Sequence, residues 1–262
     1  MEKFGIIDTH VHISMNRLKD NDVNADFVVQ RMEKYGINKS VIFSAVDGMK
    51  DSNVSLFNSF VLSECEKYSD RLVPYYFFLP AYSECMVDFA NEKKWKGIKM
   101  HPNDKGFFDS PNAQSIIDLV NKEGCPMLIH SDLRPGVFDE IIEYISFIHS
   151  NIGICHAFHM DRECIRKVSE MDNVFLDISP WIHMMRCEES FLVSEEKRPK
   201  WFDKNDVIGS LSNLFTEMNG RLIWGTDMPD DHPLSFGMEC GILKKLPEKM
   251  FAKIVENAYL FI

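Results

Sequence analysis

The chain has 262 residues, 45% hydrophobic and 26% charged, a balance that permits a sizeable core and excludes a disordered chain of low apolar content. Its net charge of −11 argues against nucleic acid as the main partner, because neutralising phosphates takes a dominant basic face. No apolar run reaches the roughly 18 residues of a membrane span, and the N-terminus shows no basic, apolar and small-residue leader pattern. The seven cysteines are odd in number, dispersed and without a CxxC pair, so a disulfide framework or zinc–thiolate site is not expected. Reduced, buried thiols in a cytosolic protein are.

Short apolar runs, turn residues and helical patterns alternate from end to end. In chain order, a strand over 5–13 precedes a helix over 26–36, and a strand over 40–46 precedes a helix over 52–67. Strands over 72–79 and 97–101 lead into helices over 83–94 and 112–123. Strands over 126–131 and 152–157 lead into helices over 138–150 and 162–171. Strands over 174–179 and 221–226 complete the set, with a helix over 207–219 between them and a last helical region after Phe236. Gly36, Gly124 and Gly220 stand where helices should stop. Eight strand–helix units imply a parallel sheet closed into a TIM-like (β/α)8 barrel, one domain over 1–262, with a doubly wound open sheet as the alternative. The longest irregular stretch, 180–205, is a candidate lid or substrate loop.

The chemistry lies at strand ends. His10 and His12 are two apart on one strand, so their imidazoles share a face, and on a barrel strand that face looks inward toward the C-terminal mouth where barrel active sites form. Taken alone, the pair reads as satisfied core histidines. The fifth, sixth and eighth strands, however, end in His130, His156 and Asp227. Ionisable groups are costly to bury unpaired, so several at one depth favour a shared cation.

These segments, Ile6 to His12 (IIDTHVH), GIKMHP at 97–102, MLIH at 127–130, CHAFH at 155–159, LIWGTDMP at 222–229 and the terminal ENAYLF, resemble the amidohydrolase superfamily. The likeness is to its amidohydrolase-related branch, which includes aminocarboxymuconate semialdehyde decarboxylase and related hydrolases. The resemblance spans the whole chain and implies a metal-dependent hydrolase. It makes His10, His12, His130 and Asp227 the ligands of a divalent ion, zinc by preference, with Asp227 also the general base. His156 is then the residue beside the attacking water, or a second-metal ligand in binuclear relatives.

Lys99 and His101 share a face of the fourth strand. In some superfamily members a lysine at that position is carbamylated and bridges two metals; here one metal is expected, with a second the alternative. Lys99, His101, Arg134 and His183 are candidate substrate contacts, and Lys105 and Arg186 could also clamp a carboxylate from the rim. Each of these has a plainer reading as a solvated or structural residue. His149, ending a helix, reads as a surface cation. Hydrolysis of a small amide, ester or lactone leads; non-oxidative decarboxylation or hydration of a small carboxylic acid on the same site follows. A TatD-like deoxyribonuclease ranks lower because no glutamate stands on the fourth strand. A small-molecule substrate and a homodimer are expected, and no membrane partner.

Overall fold

The computed structural model describes residues 5–18, 21–45, 54–79, 94–102, 107–131, 133, 136–186, 192–228 and 233–262. Eight parallel strands lie side by side: β1 Ile6–Leu18, β3 Ile37–Ser44, β4 Leu72–Phe78, β5 Gly97–Met100, β6 Met127–Ile129, β7 Ile152–Ile154, β8 Val174–Asp177 and β9 Leu222–Ile223. The sheet closes on itself where β1 meets the segment after β9. There Thr9 N–H donates to the Trp224 carbonyl (3.1 Å), Asp227 N–H to that of His10 (2.9 Å) and His12 N–H to that of Met228 (2.6 Å), with a parallel bridge between Val11 and Met228. The barrel is therefore the observed architecture, and the open-sheet alternative falls.

Local sequence explains the helices between. Asn24 accepts from the Phe27 N–H to start α1, Ala25–Tyr35, and Gly36 at φ 75° ends it by returning its N–H to the Met32 carbonyl. In α3, Pro111–Glu123, Ser110 caps the N-terminus, proline fills the first turn and Gly124 at φ 67° closes the last. These are the capping chemistries expected of a polar start and a left-handed stop. Between them lies α2, Val54–Glu66. Further on come α4 Val137–Ile145, α5 Arg162–Ser169, α6 Trp181–Arg186, α7 Val207–Glu217, α8 Pro233–Leu243 and α9 Glu248–Ala258.

Several boundaries differ from expectation. β1 runs five residues beyond Ile13 and folds back on a three-residue strand, β2 Asn21–Val23, antiparallel to it; no hairpin signal marks that turn in the sequence. The sixth barrel strand stops at Ile154, because the backbone from His156 to Met160 turns left-handed. The irregular stretch after β8 contains α6 and a 3-10 turn, Glu195–Lys197. The helix expected over 83–94 lies outside the described residues save for its last position. Among the described residues no helix is long and apolar enough to cross a membrane.

Two apolar cores result. The larger fills the space between strands and helices. The smaller lies inside the barrel, where Val41, Phe43, Val73, Tyr75, Leu128, Cys155, Phe175, Ile223 and Phe261 meet. Glycine is required on two of these inward positions: a Cβ on Gly97 would fall 2.3 Å from the Tyr75 ring, and one on Gly153 2.6 Å from Leu128. At the floor the Tyr75 hydroxyl donates to the Phe261 carbonyl (2.7 Å), tying the chain's last turn to the barrel. Tyr75→Phe should lower unfolding free energy by about 1–2 kcal/mol in chemical denaturation, the cost of an unsatisfied buried carbonyl; an unchanged midpoint would show that the tether contributes nothing.

Candidate metal centre

His10, His12 and Asp227 meet at the C-terminal mouth of the barrel. His10 Nε2, His12 Nε2 and Asp227 Oδ1 form a triangle 3.2 Å on each side. Donors about 2.0–2.2 Å from a tetrahedral zinc stand about 3.3–3.6 Å apart, so the triangle is close to one face of a ligand shell. His10 is fully buried, His12 is 9% exposed, and the Asp227 side chain retains 25% exposure. The cluster thus faces an opening from a dry floor.

The hydrogen bonds fix which ring nitrogens carry lone pairs. His12 Nδ1 lies 3.0 Å from the Ser44 carbonyl, which can only accept, so Nδ1 carries the proton and Nε2 the lone pair. His10 Nδ1 is held at 2.6 Å by the Asp177 carboxylate. Ser179 donates from its backbone N–H (2.9 Å) and hydroxyl (2.8 Å) to that same carboxylate, locking it in place. Orientation of a ligand imidazole by a carboxylate or carbonyl is what metal-binding histidines require. Two imidazole lone pairs and a carboxylate oxygen then converge, an arrangement that a cation or a proton must satisfy. The donor set therefore fits a divalent ion.

Burial and the Lys99 ammonium oppose protonation of His10, but Cys155, Asp227 and Asp177 outweigh them and push its pKa well above the ordinary value. Burial likewise opposes ionisation of Asp227, yet His10 and His12 hold its carboxyl well below the usual range. His12, with burial dominant, is pushed down to about 4.

His130 and His156 form a second pair alongside. His156 Nδ1 donates to the Ser179 carbonyl at 2.6 Å, and burial pushes its pKa down to about 3. The ring is neutral, so its Nε2 accepts from His130 Nδ1 at 2.9 Å. His130, held well below its ordinary pKa first by burial, is consequently protonated on Nδ1 and keeps its lone pair on Nε2, the state a fourth ligand needs. This tautomer chain bears on the expected role of His156: its one Nε2 lone pair is occupied by the His130 Nδ1–H, so in this arrangement the ring positions His130, and it can reach a water only by giving up that bond.

The remaining sequence candidates are placed as follows. Lys99 is fully buried on β5, with Nζ 3.2 Å from His10 Nε2 and 3.0 Å from Cys155 Sγ. It lies beneath the metal cluster. His101 stacks on His130 with ring centroids 3.8 Å apart. His159 is buried and bonded through Nε2 to the Ser131 carbonyl (2.6 Å). His149 is exposed. Arg134 and Lys105 lie outside the described residues, and His183 and Arg186 are on α6 with side chains that are not described.

Sequence reasoning missed Asp177, Ser179, Cys155 and Asp8. The Asp8 carboxylate accepts from the His10 N–H (3.2 Å), the Thr226 N–H (3.0 Å) and the Thr226 hydroxyl (2.7 Å), while burial pushes its pKa up to about 7. Its position two residues before His10, inward on the same strand, was the available signal. Asp177 carried a similar one, as the only acidic residue at the end of its apolar run.

No known family model matches the sequence, and no curated protein does. Solved structures do match in fold. A probable 2-pyrone-4,6-dicarboxylic acid hydrolase from Acinetobacter baumannii, with citric acid bound, superposes with a TM-score of 0.72 at 14% identity, covering 98% of this chain and 99% of that one. The 2,6-dihydroxybenzoate decarboxylase from Rhizobium gives 0.69 at 13% identity, with 98% of each chain covered. The 5-carboxyvanillate decarboxylase from Sphingomonas paucimobilis gives 0.64 at 10% identity over 99% of each. The fold is shared along the full length of all three.

Asp177→Asn leaves the side-chain volume intact but weakens the hold on His10. Metal affinity measured by competition with a chromogenic chelator should fall about 10- to 100-fold, the usual cost of losing such an orienting partner, with the circular dichroism spectrum unchanged. Unaltered affinity would mean that Asp177 does not orient the ligand.

Proposed function

We propose that the chain is a metal-dependent enzyme of the amidohydrolase superfamily that hydrolyses a small amide, ester or lactone. One divalent ion, zinc by preference, would be held by His10, His12, His130 and Asp227. The observation that carries this reading is the 3.2 Å triangle of His10 Nε2, His12 Nε2 and Asp227 Oδ1, with the far nitrogens of both rings already held by Asp177 and the Ser44 carbonyl. Four donors of nitrogen and oxygen type at the mouth of a barrel suit zinc, manganese, iron or cobalt.

When bound, the ion supplies Lewis-acid polarisation and acidifies water. The chain's residues do the rest. Both histidine contacts of Asp227 use Oδ1, so Oδ2 is the oxygen that can take the proton from an attacking water. His156, with Nδ1 bonded to the Ser179 carbonyl and its Nε2 lone pair taken by the His130 Nδ1–H, fixes the orientation of the His130 ring and becomes available to a water only when that bond is given up. The buried floor of His10, Lys99 and Asp177 excludes bulk solvent from beneath, which strengthens each of these electrostatic interactions.

The second reading keeps the site and changes the reaction, to non-oxidative decarboxylation of a small carboxylic acid. It is favoured by the names of two structures that share the fold, both decarboxylases of aromatic acids. A panel of amides, esters, lactones and aromatic carboxylic acids, with product release and carbon dioxide both monitored, separates the two. Turnover on the first three classes, lost in Asp227→Asn, supports hydrolysis; carbon dioxide from the acids alone overturns it.

Metal content is the more basic test. Elemental analysis of untagged protein should give about one equivalent of divalent metal, lost in His10→Ala and in Asp227→Ala. Because Cys155, Asp227 and Asp177 push the His10 pKa well above its ordinary value, protons compete with the ion for His10, and uptake should release protons and weaken as pH falls. Titration calorimetry in two buffers of different ionisation enthalpy reads this directly: equal heats in both would contradict it.

A further inference from the structure

Against His10 lies a pair of side chains with a reaction of their own, separate from the proposed turnover. Lys99, on β5, and Cys155, just past the end of β7, are both fully buried. The lysine Nζ donates to Cys155 Sγ at 3.0 Å, with the Phe43 ring 4.7 Å from the ammonium. Among the described residues no carboxylate pairs with Lys99; its polar neighbours are this sulfur and His10 Nε2. A buried amine whose contacts include a thiol within bonding approach has one reaction open to it that a buried thiol alone does not. Sulfur oxidised to the sulfenic acid condenses with a nearby nitrogen to give a sulfur–nitrogen bond.

We propose that Lys99 and Cys155 form an oxidant-dependent covalent link, a modification site inside the barrel whose formation requires neither metal nor turnover. The oxidant is hydrogen peroxide. In the first step the Cys155 sulfur takes a hydroxyl from hydrogen peroxide: a sulfur–oxygen bond forms, the oxygen–oxygen bond breaks, and the thiol proton leaves with the other oxygen as water. In the second the Lys99 ammonium releases a proton to water and the free amine attacks that sulfur; the sulfur–nitrogen bond forms and the sulfur–oxygen bond breaks. The departing hydroxide carries off an amine hydrogen as a second water. Thiol, amine and one peroxide give the link and two waters, and two equivalents of a thiol reductant restore both side chains while forming one disulfide. The link would rivet β5 to β7 across β6 and draw Nζ away from His10.

Hydrogen peroxide treatment followed by proteolysis and mass spectrometry tests this. The expected product joins the Lys99 and Cys155 peptides with the loss of two hydrogens, disappears on treatment with dithiothreitol, and is absent from Cys155→Ser and from Lys99→Met. Recovery of Cys155 as sulfinic or sulfonic acid with Lys99 unlinked would overturn the proposal, as would a Cys155 that stays reduced. Both readings come from the wild-type chain, so neither depends on the variants folding. Neither requires metal or substrate, so failure here leaves the metal-centre reading untouched.

Discussion

The closure of β1 against the segment after β9 is the contact on which the site depends. These pieces are more than 200 residues apart in sequence, yet three backbone hydrogen bonds run between positions 9–12 and 224–228, and the Asp8 carboxylate adds two more by accepting from the Thr226 N–H and hydroxyl. Because the Asp227 N–H is bonded to the His10 carbonyl, the Asp227 carboxylate is carried to within 3.2 Å of His10 and His12. Gly225 is part of the same constraint, since a Cβ there would lie 2.4 Å from His10 Cβ and 2.9 Å from its backbone nitrogen. The barrel closes only if the chain at this point has no side chain.

Closure brings a cost that the polar residues around it absorb. Placing two imidazoles and a carboxylate together in a buried cleft crowds lone pairs, and the chain answers with a layer of fixed donors and acceptors: Asp177, Ser179, the Ser44 carbonyl and Lys99. Their effect is to preset the tautomers. Each of His10, His12 and His130 has its Nδ1 engaged, which turns the Nε2 atoms into the free donors. A site organised in this way is ready for a cation before one arrives, and little reorganisation remains to be done on binding.

The left-handed stretch from His156 to Met160 belongs to the same economy of position. Five consecutive non-glycine residues with φ between 45° and 66° are conformationally unfavourable, and the turn survives because it is buried and pinned at both histidines, by the Ser179 carbonyl at His156 and the Ser131 carbonyl at His159. Its result is that the strand ends early and His156 is aimed across the mouth toward His130.

The sequence by itself determined the alternation of strand and helix, the eight-unit count and the placement of His10, His12, His130, His156 and Asp227 on or just past barrel strands, because periodicity, capping residues and apolar runs are local signals. Asp177 and Cys155 could be seen there only as residues at strand ends, and Asp8 only as one inward acid among several. What each faces was decided by the tertiary structure: which imidazole nitrogen keeps its lone pair, which histidines share the ligand triangle and which stand beside it, and that Lys99 points at a thiol. Those outcomes depend on the barrel's circumference and strand register, which are set by packing between residues far apart in the chain.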